Sequence, residues 1–218
     1  MKPKAILFDL DGTLIEFPKD FLFSQAYQVF DSLEMEHASE EELEEAFSDF
    51  DFFRIAPAAV REQFMEVYWS LFDWNQYPKA VVIPGVTETL ASLKASGFEL
   101  GIVTSRDESP EHIRQRLEHT NILEHLSFII PRSCPDCEWS DKSKQITEAC
   151  KRLGLSPEEV AMVGDIPPDI ESAHKCGVGI KIALLSGGIK RRQLEKGKPD
   201  FILSTVNEVV GLEVFGKF

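Results

Sequence analysis

The chain has 218 residues, with 23 Lys+Arg against 37 Asp+Glu and a formal net charge of −14. Hydrophobic residues make up 43% and charged residues 28%, a globular balance that excludes wholesale disorder and leaves room for one large domain or a domain with an insertion. The carboxylate excess argues against nucleic acid and anionic membranes as partners, since both require a basic face.

Any phosphate the protein handles must therefore meet local cations or backbone donors. No apolar run approaches the roughly 20 residues that span a bilayer, and the acid-broken start MKPKAILFDLDGTL does not read as a signal peptide. Four cysteines are too sparse for a disulfide framework, so a reduced, cytoplasmic location is expected.

Ala5 to Phe8 is a short apolar run ending in acids and Gly12, which predicts a buried strand and a turn. From Glu16 to Gln76 the apolar residues recur at helical spacing: Phe23, Ala26, Tyr27 and Phe30, then Leu43, Ala46 and Phe47, then Val60, Phe64, Val67, Tyr68 and Leu71. Ser39 with Glu42 three residues on is a capping box, and Pro57 suits the first turn of a further helix. Ten of the 16 phenylalanines lie between positions 17 and 72, so this acidic helical stretch has an apolar interior of its own.

After Pro84-Gly85, helices and strands alternate. VTETLASLKASG is a helix stopped by Gly97, and FELGIVTS a strand; SPEHIRQRLEHTNI is a helix, and SFIIP a strand. SKQITEACKRLGL is a helix, EVAMVGD a strand, and PDIESAHKCG a helix ended by Gly177. GIKIALLS and PDFILS are strands, and VNEVVGLE a terminal helix. This alternation predicts an α/β fold, a doubly wound parallel sheet built from residues 1–15 and 80–218, with a helical cap at 16–79 inserted after the first strand.

In such sheets the site lies at the carboxyl ends of the strands. The first strand ends in Asp9-Leu10-Asp11-Gly12-Thr13, the next in Thr104-Ser105, and EVAMV in Gly164-Asp165 with Asp169 a turn beyond. Carboxylates that converge repel one another unless a cation sits among them, and oxygen ligands suit Mg²⁺. Asp9 and Asp11 point the same way in an extended segment. One can attack phosphorus while the other protonates the leaving oxygen and then activates water. Thr104 and the following amides can hold phosphoryl oxygens, and Lys142 or Lys144 can offset the phosphoryl charge.

Asp9-Leu10-Asp11-Gly12-Thr13, Val103-Thr104-Ser105, Lys142 and Gly164 to Asp169, in that order, resemble the four motifs of the haloacid dehalogenase superfamily. The stretch PGVTETLASLKASG and the ending SGG…PDFILSTVNEV are similar to its phosphoglycolate phosphatase-like branch. The resemblance spans almost the whole chain. It implies a Rossmann-like core with a helical cap and a Mg²⁺-dependent phosphatase acting on a small phosphorylated metabolite. By the same resemblance Asp9 is the nucleophile and Asp11 the general acid/base. Thr104, Ser105 and Lys142 bind phosphate, and Asp9, the Asp11 main-chain carbonyl, Asp165 and Asp169 serve the metal. Two departures stand out: SDKSKQIT lacks the family's Pro-x-Pro after the lysine, leaving Lys144 as an alternative, and Ile-Pro-Pro replaces Ser-x-x after Asp165.

A strict dehalogenase has no use for Asp11. A phosphomutase keeps both aspartates and is the alternative enzyme, and a non-catalytic binding protein on the same fold is the alternative from another class. Cys134 and Cys137 raise a zinc site, but no second pair follows at ligand spacing. Cys150 and Cys176 read as buried small hydrophobes, the five histidines are scattered, and Lys19 and Arg54 are the cap's candidates for a second anionic group.

Overall fold

A computed structural model describes residues 2–132 and 139–216; the Cys134–Cys137 pair lies outside the described residues. Strands β1 (Ala5–Phe8), β2 (Glu99–Val103), β3 (Phe128–Ile130), β4 (Val160–Gly164), β5 (Ile180–Leu184) and β6 (Phe201–Leu203) form one sheet in the order β3-β2-β1-β4-β5-β6. Every pairing is parallel. The chain winds outward from β1 through β2 to β3, then crosses back to lay β4 on the other side of β1, so the strand order reverses between β1 and β4.

Both faces of this sheet are covered, which is why its strands read as apolar runs. Ile6 and Phe8 of β1 join Ala161 and Val163 of β4 in one buried cluster, while Ala5 and Leu7 join Val160 and Met162 in another. The period-2 pleat alone divides these residues between the faces. Helices α4 (Val86–Ala95), α5 (Pro110–Leu117), α6 (Ser143–Leu153), α7 (Pro167–Cys176) and the single turn α8 (Arg191–Leu194) connect or flank the strands.

Between β1 and Ile83 lie α1 (Lys19–Ser32), α2 (Glu40–Ser48) and α3 (Arg61–Leu71), joined by short 3-10 turns at Phe52–Ile55 and Trp74–Gln76. Phe23, Phe30, Leu43, Phe47, Phe64 and Tyr68 bury their side chains together, and Ile170, Ile189 and Leu194 from the sheet side pack into the same cluster. The Ser39 capping box forms as expected: its hydroxyl accepts from the Glu42 amide at 3.2 Å, and Glu42 accepts the Ser39 amide at 2.8 Å.

Three elements differ from the sequence reading. Pro57 sits in a turn whose carbonyl accepts from Val60, so α3 begins only at Arg61. The α5 helix ends at Leu117, because the Thr120 hydroxyl takes the Leu117 carbonyl at 2.6 Å and stops propagation. The expected terminal helix at VNEVVGLE is a 3-10 segment, Val206–Gly211, whose Glu208 carboxylate accepts the Ser204 and Thr205 amides.

Candidate active site

The β1 ladder continues one residue past the strand, with the Asp9 amide donating to the Val163 carbonyl at 2.9 Å. Asp9 therefore sits at the reversal point, against the end of β4. Leu10 to Ile15 then fold into a tight turn in which Gly12 has φ of +81°. A Cβ there would meet the Asp165 Oδ2 at 2.3 Å, so glycine is required both by conformation and by the approach of the carboxylate. Gly187, after β5, is constrained by the same close approach: a Cβ there would collide with the same oxygen.

Around that turn the acids converge. Asp9, Asp165 and Asp169 are buried, and one oxygen from each lies within 4.8 Å of the others. Lys142, at the N-terminus of α6, reaches Asp9 Oδ1 and Asp169 Oδ1, each at 2.6 Å. Lys144 is exposed on the same helix, so of the two lysines Lys142 is the one that the fold brings to the acids. Asp169 stands in the first turn of α7, where its Oδ2 accepts the backbone amides of Asp165 and Ile166 at 3.0 and 3.2 Å. These amides belong to a helix start that leaves donors unpaired, which places Asp169 firmly.

Electrostatics follow from burial. Desolvation pushes the Asp9 carboxyl up to about 7, opposed by Lys142 and reinforced by Asp169. Burial, Asp9 and Asp169 hold Asp165 well above the ordinary carboxylate range. Burial alone would lower Lys142, yet Asp169 and Asp9 keep it above the usual lysine range and charged. One lysine among three carboxylates leaves an excess of negative charge, and an oxygen-only donor set of this kind fits a hard divalent cation such as Mg²⁺.

Thr104 follows β2 and is buried, with its hydroxyl accepting the Arg106 amide at 3.3 Å. The Ser105 hydroxyl is buried with no hydrogen-bond partner among the described residues. Asp11 has partners of its own: Arg106 grips it through Nε at 2.8 Å and Nη2 at 2.7 Å, and the Tyr77 hydroxyl adds a bond at 3.0 Å. Lys19 and Arg54 are occupied by Glu44 and Asp49 at 2.7 and 3.0 Å.

Four residues here escaped the sequence reading. The Thr13 hydroxyl donates to Asp165 Oδ1 at 2.7 Å, which gives that carboxylate a hydroxyl from β1's turn despite Ile-Pro-Pro beyond it. Ser186 bonds the Gly12 carbonyl at 2.6 Å. Arg106 and Tyr77 are the other two; an arginine two residues after the strand-end threonine was the available signal for the first. Cys150 is buried, whereas Cys176 is half-buried, its thiol donating to the Ser143 carbonyl at 3.3 Å.

Fold and site together define a doubly wound α/β protein with a carboxylate–lysine centre at its topological switch point. Residues 6–183 match the haloacid dehalogenase-like hydrolases, and the chain belongs to that family. It is 29% identical to a phosphoglycolate phosphatase of Aquifex aeolicus over 224 residues, covering 96% of each. To a pyrophosphatase PpaX of Bacillus cereus it is 27% identical over 220 residues, again with 96% of each covered. A haloacid dehalogenase-like hydrolase from Streptococcus pneumoniae has the same fold, with a TM-score of 0.74 at 22% identity over 96% of this chain and 98% of that one.

Proposed function

We propose that this chain is a Mg²⁺-dependent phosphatase of small phosphate monoesters, working through an aspartyl-phosphate on Asp9, with residues 16–79 as a cap over a core of 1–15 and 80–218. The observation that carries the reading is the convergence of Asp9, Asp165, Asp169 and Lys142 at the end of β1. Asp9, the Asp11 carbonyl and Asp165 would hold the cation, with Asp169 supporting them; when bound, the cation supplies charge to balance an incoming phosphate dianion. In the first half-reaction a carboxylate oxygen of Asp9 forms a bond to phosphorus as the ester oxygen departs, and Asp11 gives that oxygen its proton. In the second, water attacks phosphorus, its proton passes to Asp11, and Asp9 leaves as carboxylate with inorganic phosphate. Thr104, the Ser105 hydroxyl, which has no partner among the described residues, and Lys142 would take the phosphoryl oxygens.

Metal removal tests this directly. Chelator should abolish phosphate release from an aryl phosphate, Mg²⁺ should restore it, and Ca²⁺ should inhibit, because its larger shell lets a carboxylate bind bidentately and withdraws an attacking oxygen. Full activity in chelator would sink the reading. Product analysis with hexose 1-phosphates tests the mutase alternative: an isomerised sugar phosphate in place of free phosphate would favour it.

The leaving group is constrained by charge. Residues 16–79 hold 4 Lys+Arg against 15 Asp+Glu. Lys19 and Arg54 are paired with acids, and Arg61 bonds the Ala56 carbonyl. An acidic cap disfavours a leaving group that is itself anionic. In a panel that includes phosphoglycolate and pyrophosphate, esters of uncharged alcohols should give the higher kcat/KM; preference for either anionic substrate would refute this.

A further inference from the structure

A carboxylate offers about four lone-pair positions, two on each oxygen. On Asp11, Oδ1 accepts from Arg106 Nη2 and from the Tyr77 hydroxyl, while among the described residues Oδ2 accepts from Arg106 Nε alone. Three positions are filled and the open one is on Oδ2. We propose that Arg106 and Tyr77 are positioning residues that confine proton transfer by Asp11 to Oδ2, and that Tyr77 couples this choice to the linker returning from the helical segment. The proposal rests on the phosphatase reading for the role of Asp11.

The clamp is built to hold one geometry. A guanidinium fork fixes the plane of the carboxylate as well as its distance. Arg106 is itself 4% exposed and spends no conformational freedom elsewhere, since its Nη1 donates to Glu108 at 3.2 Å. Glu108 is held in turn by Arg116 Nε at 2.6 Å. Arg116 also bonds the Trp74 carbonyl, and the Tyr77 carbonyl at 3.5 Å, which pins the linker to α5. The Arg106 guanidinium lies 4.6 Å from the Tyr77 ring centroid and 5.2 Å from that of Trp74. Burial and the neighbouring Asp11 keep the Tyr77 hydroxyl protonated, so it serves Oδ1 as a donor.

A proton at the open position of Oδ2 leaves all three donor bonds intact, so Asp11 can alternate between acid and base without the clamp opening. Withdrawal of Tyr77 with the linker would free a position on Oδ1 and give the proton a second, misdirected place. A shift of that size in a reacting group is enough to lose much of the rate.

The test combines kinetics with a signal that needs no substrate. Arg106→Gln should lower kcat/KM for an alkyl phosphate by at least ~50-fold, within the usual span of general acid–base catalysis. The aryl phosphate burst, which needs little proton assistance, should stay within about 5-fold. Tyr77→Phe should follow the same pattern at roughly 5-fold, the loss of one hydrogen bond. Added to Asp11→Asn, Arg106→Gln should cost no more than about a further 2-fold, because both act through one group. Equal losses on both esters, or a full Arg106→Gln effect in the Asp11→Asn background, would overturn the proposal by placing Arg106 on the substrate. In ¹H–¹⁵N spectra of the free protein, the Arg106 Nε–H resonance should move strongly in Asp11→Ala, and an unmoved resonance would also overturn it. A wild-type chain that hydrolyses no ester yet shows that response would refute the phosphatase reading while supporting the clamp.

Discussion

Asp9→Asn should reduce turnover of every phosphate ester by at least about 10³-fold, on the order of 4 kcal/mol in the barrier, while the fold persists. The amide is nearly isosteric but a poor nucleophile, and the neighbouring carboxylates are held elsewhere: Asp169 by Lys142 and two amides, Asp165 by Thr13, and Asp11 by Arg106 and Tyr77. Stability should change in the opposite sense. The Asp9 carboxyl is raised from an ordinary 3.8 to about 7, so its ionisation in the metal-free fold opposes folding. Below pH 4 it is neutral in both states and makes no difference; as pH climbs from about 4 to about 7 the unfolded chain ionises this group before the fold does, and the wild type loses stability that the asparagine variant keeps. Chemical denaturation in chelator at pH 5 and pH 8 should therefore find the variant gaining on the wild type at the higher pH. Activity within about tenfold of wild type, or about 1.4 kcal/mol, would put the nucleophile elsewhere.

The parts of this molecule legible in the sequence are those fixed by short-range physics. Strands buried on both faces must be apolar runs, and those of β1, β4 and β5 stand out against amphipathic helices. Strand-end acids and glycines mark the rim because parallel sheets expose their carboxyl ends there. Spacing cannot pair residues across the sheet. Arg106 meets Asp11 because β2 neighbours β1, and Thr13 meets Asp165 because β4 lies on β1's other side. Those adjacencies depend on the crossover, which no local pattern encodes. Lys142 and Lys144 are separable only by the face of α6 that turns inward; Lys142 is buried and Lys144 is not. Helix ends were missed where a side chain intercepted the backbone, as Thr120 does at Leu117.

Lys142→Met should produce the largest loss of stability of any single change at the site. The lysine side chain is 1% exposed and lies between Asp9 and Asp169 at 2.6 Å each. Removing one partner of a buried ion pair leaves an uncompensated charge, which costs about 3–5 kcal/mol, more than the methionine recovers by packing. Lys142 stays charged throughout pH 5–9, so the pH dependence of the loss comes from the acids it faces. At pH 5 Asp9 is protonated and part of the deficit is relieved; without Lys142 its carboxyl is pushed up further than in the wild type, so the loss grows as pH rises through 8 and the group ionises. Mg²⁺ should narrow the gap between variant and wild type by supplying positive charge beside Asp9. Lys144→Met is the control, an exposed position where the change should stay within about 0.5 kcal/mol. Urea melts of both variants in chelator, repeated with Mg²⁺, give the comparison. A Lys142→Met protein as stable as wild type at pH 8 without metal would mean that Asp9 and Asp169 do not share this lysine in solution, and the charge argument for a cation at Asp9 and Asp165 would fall with it.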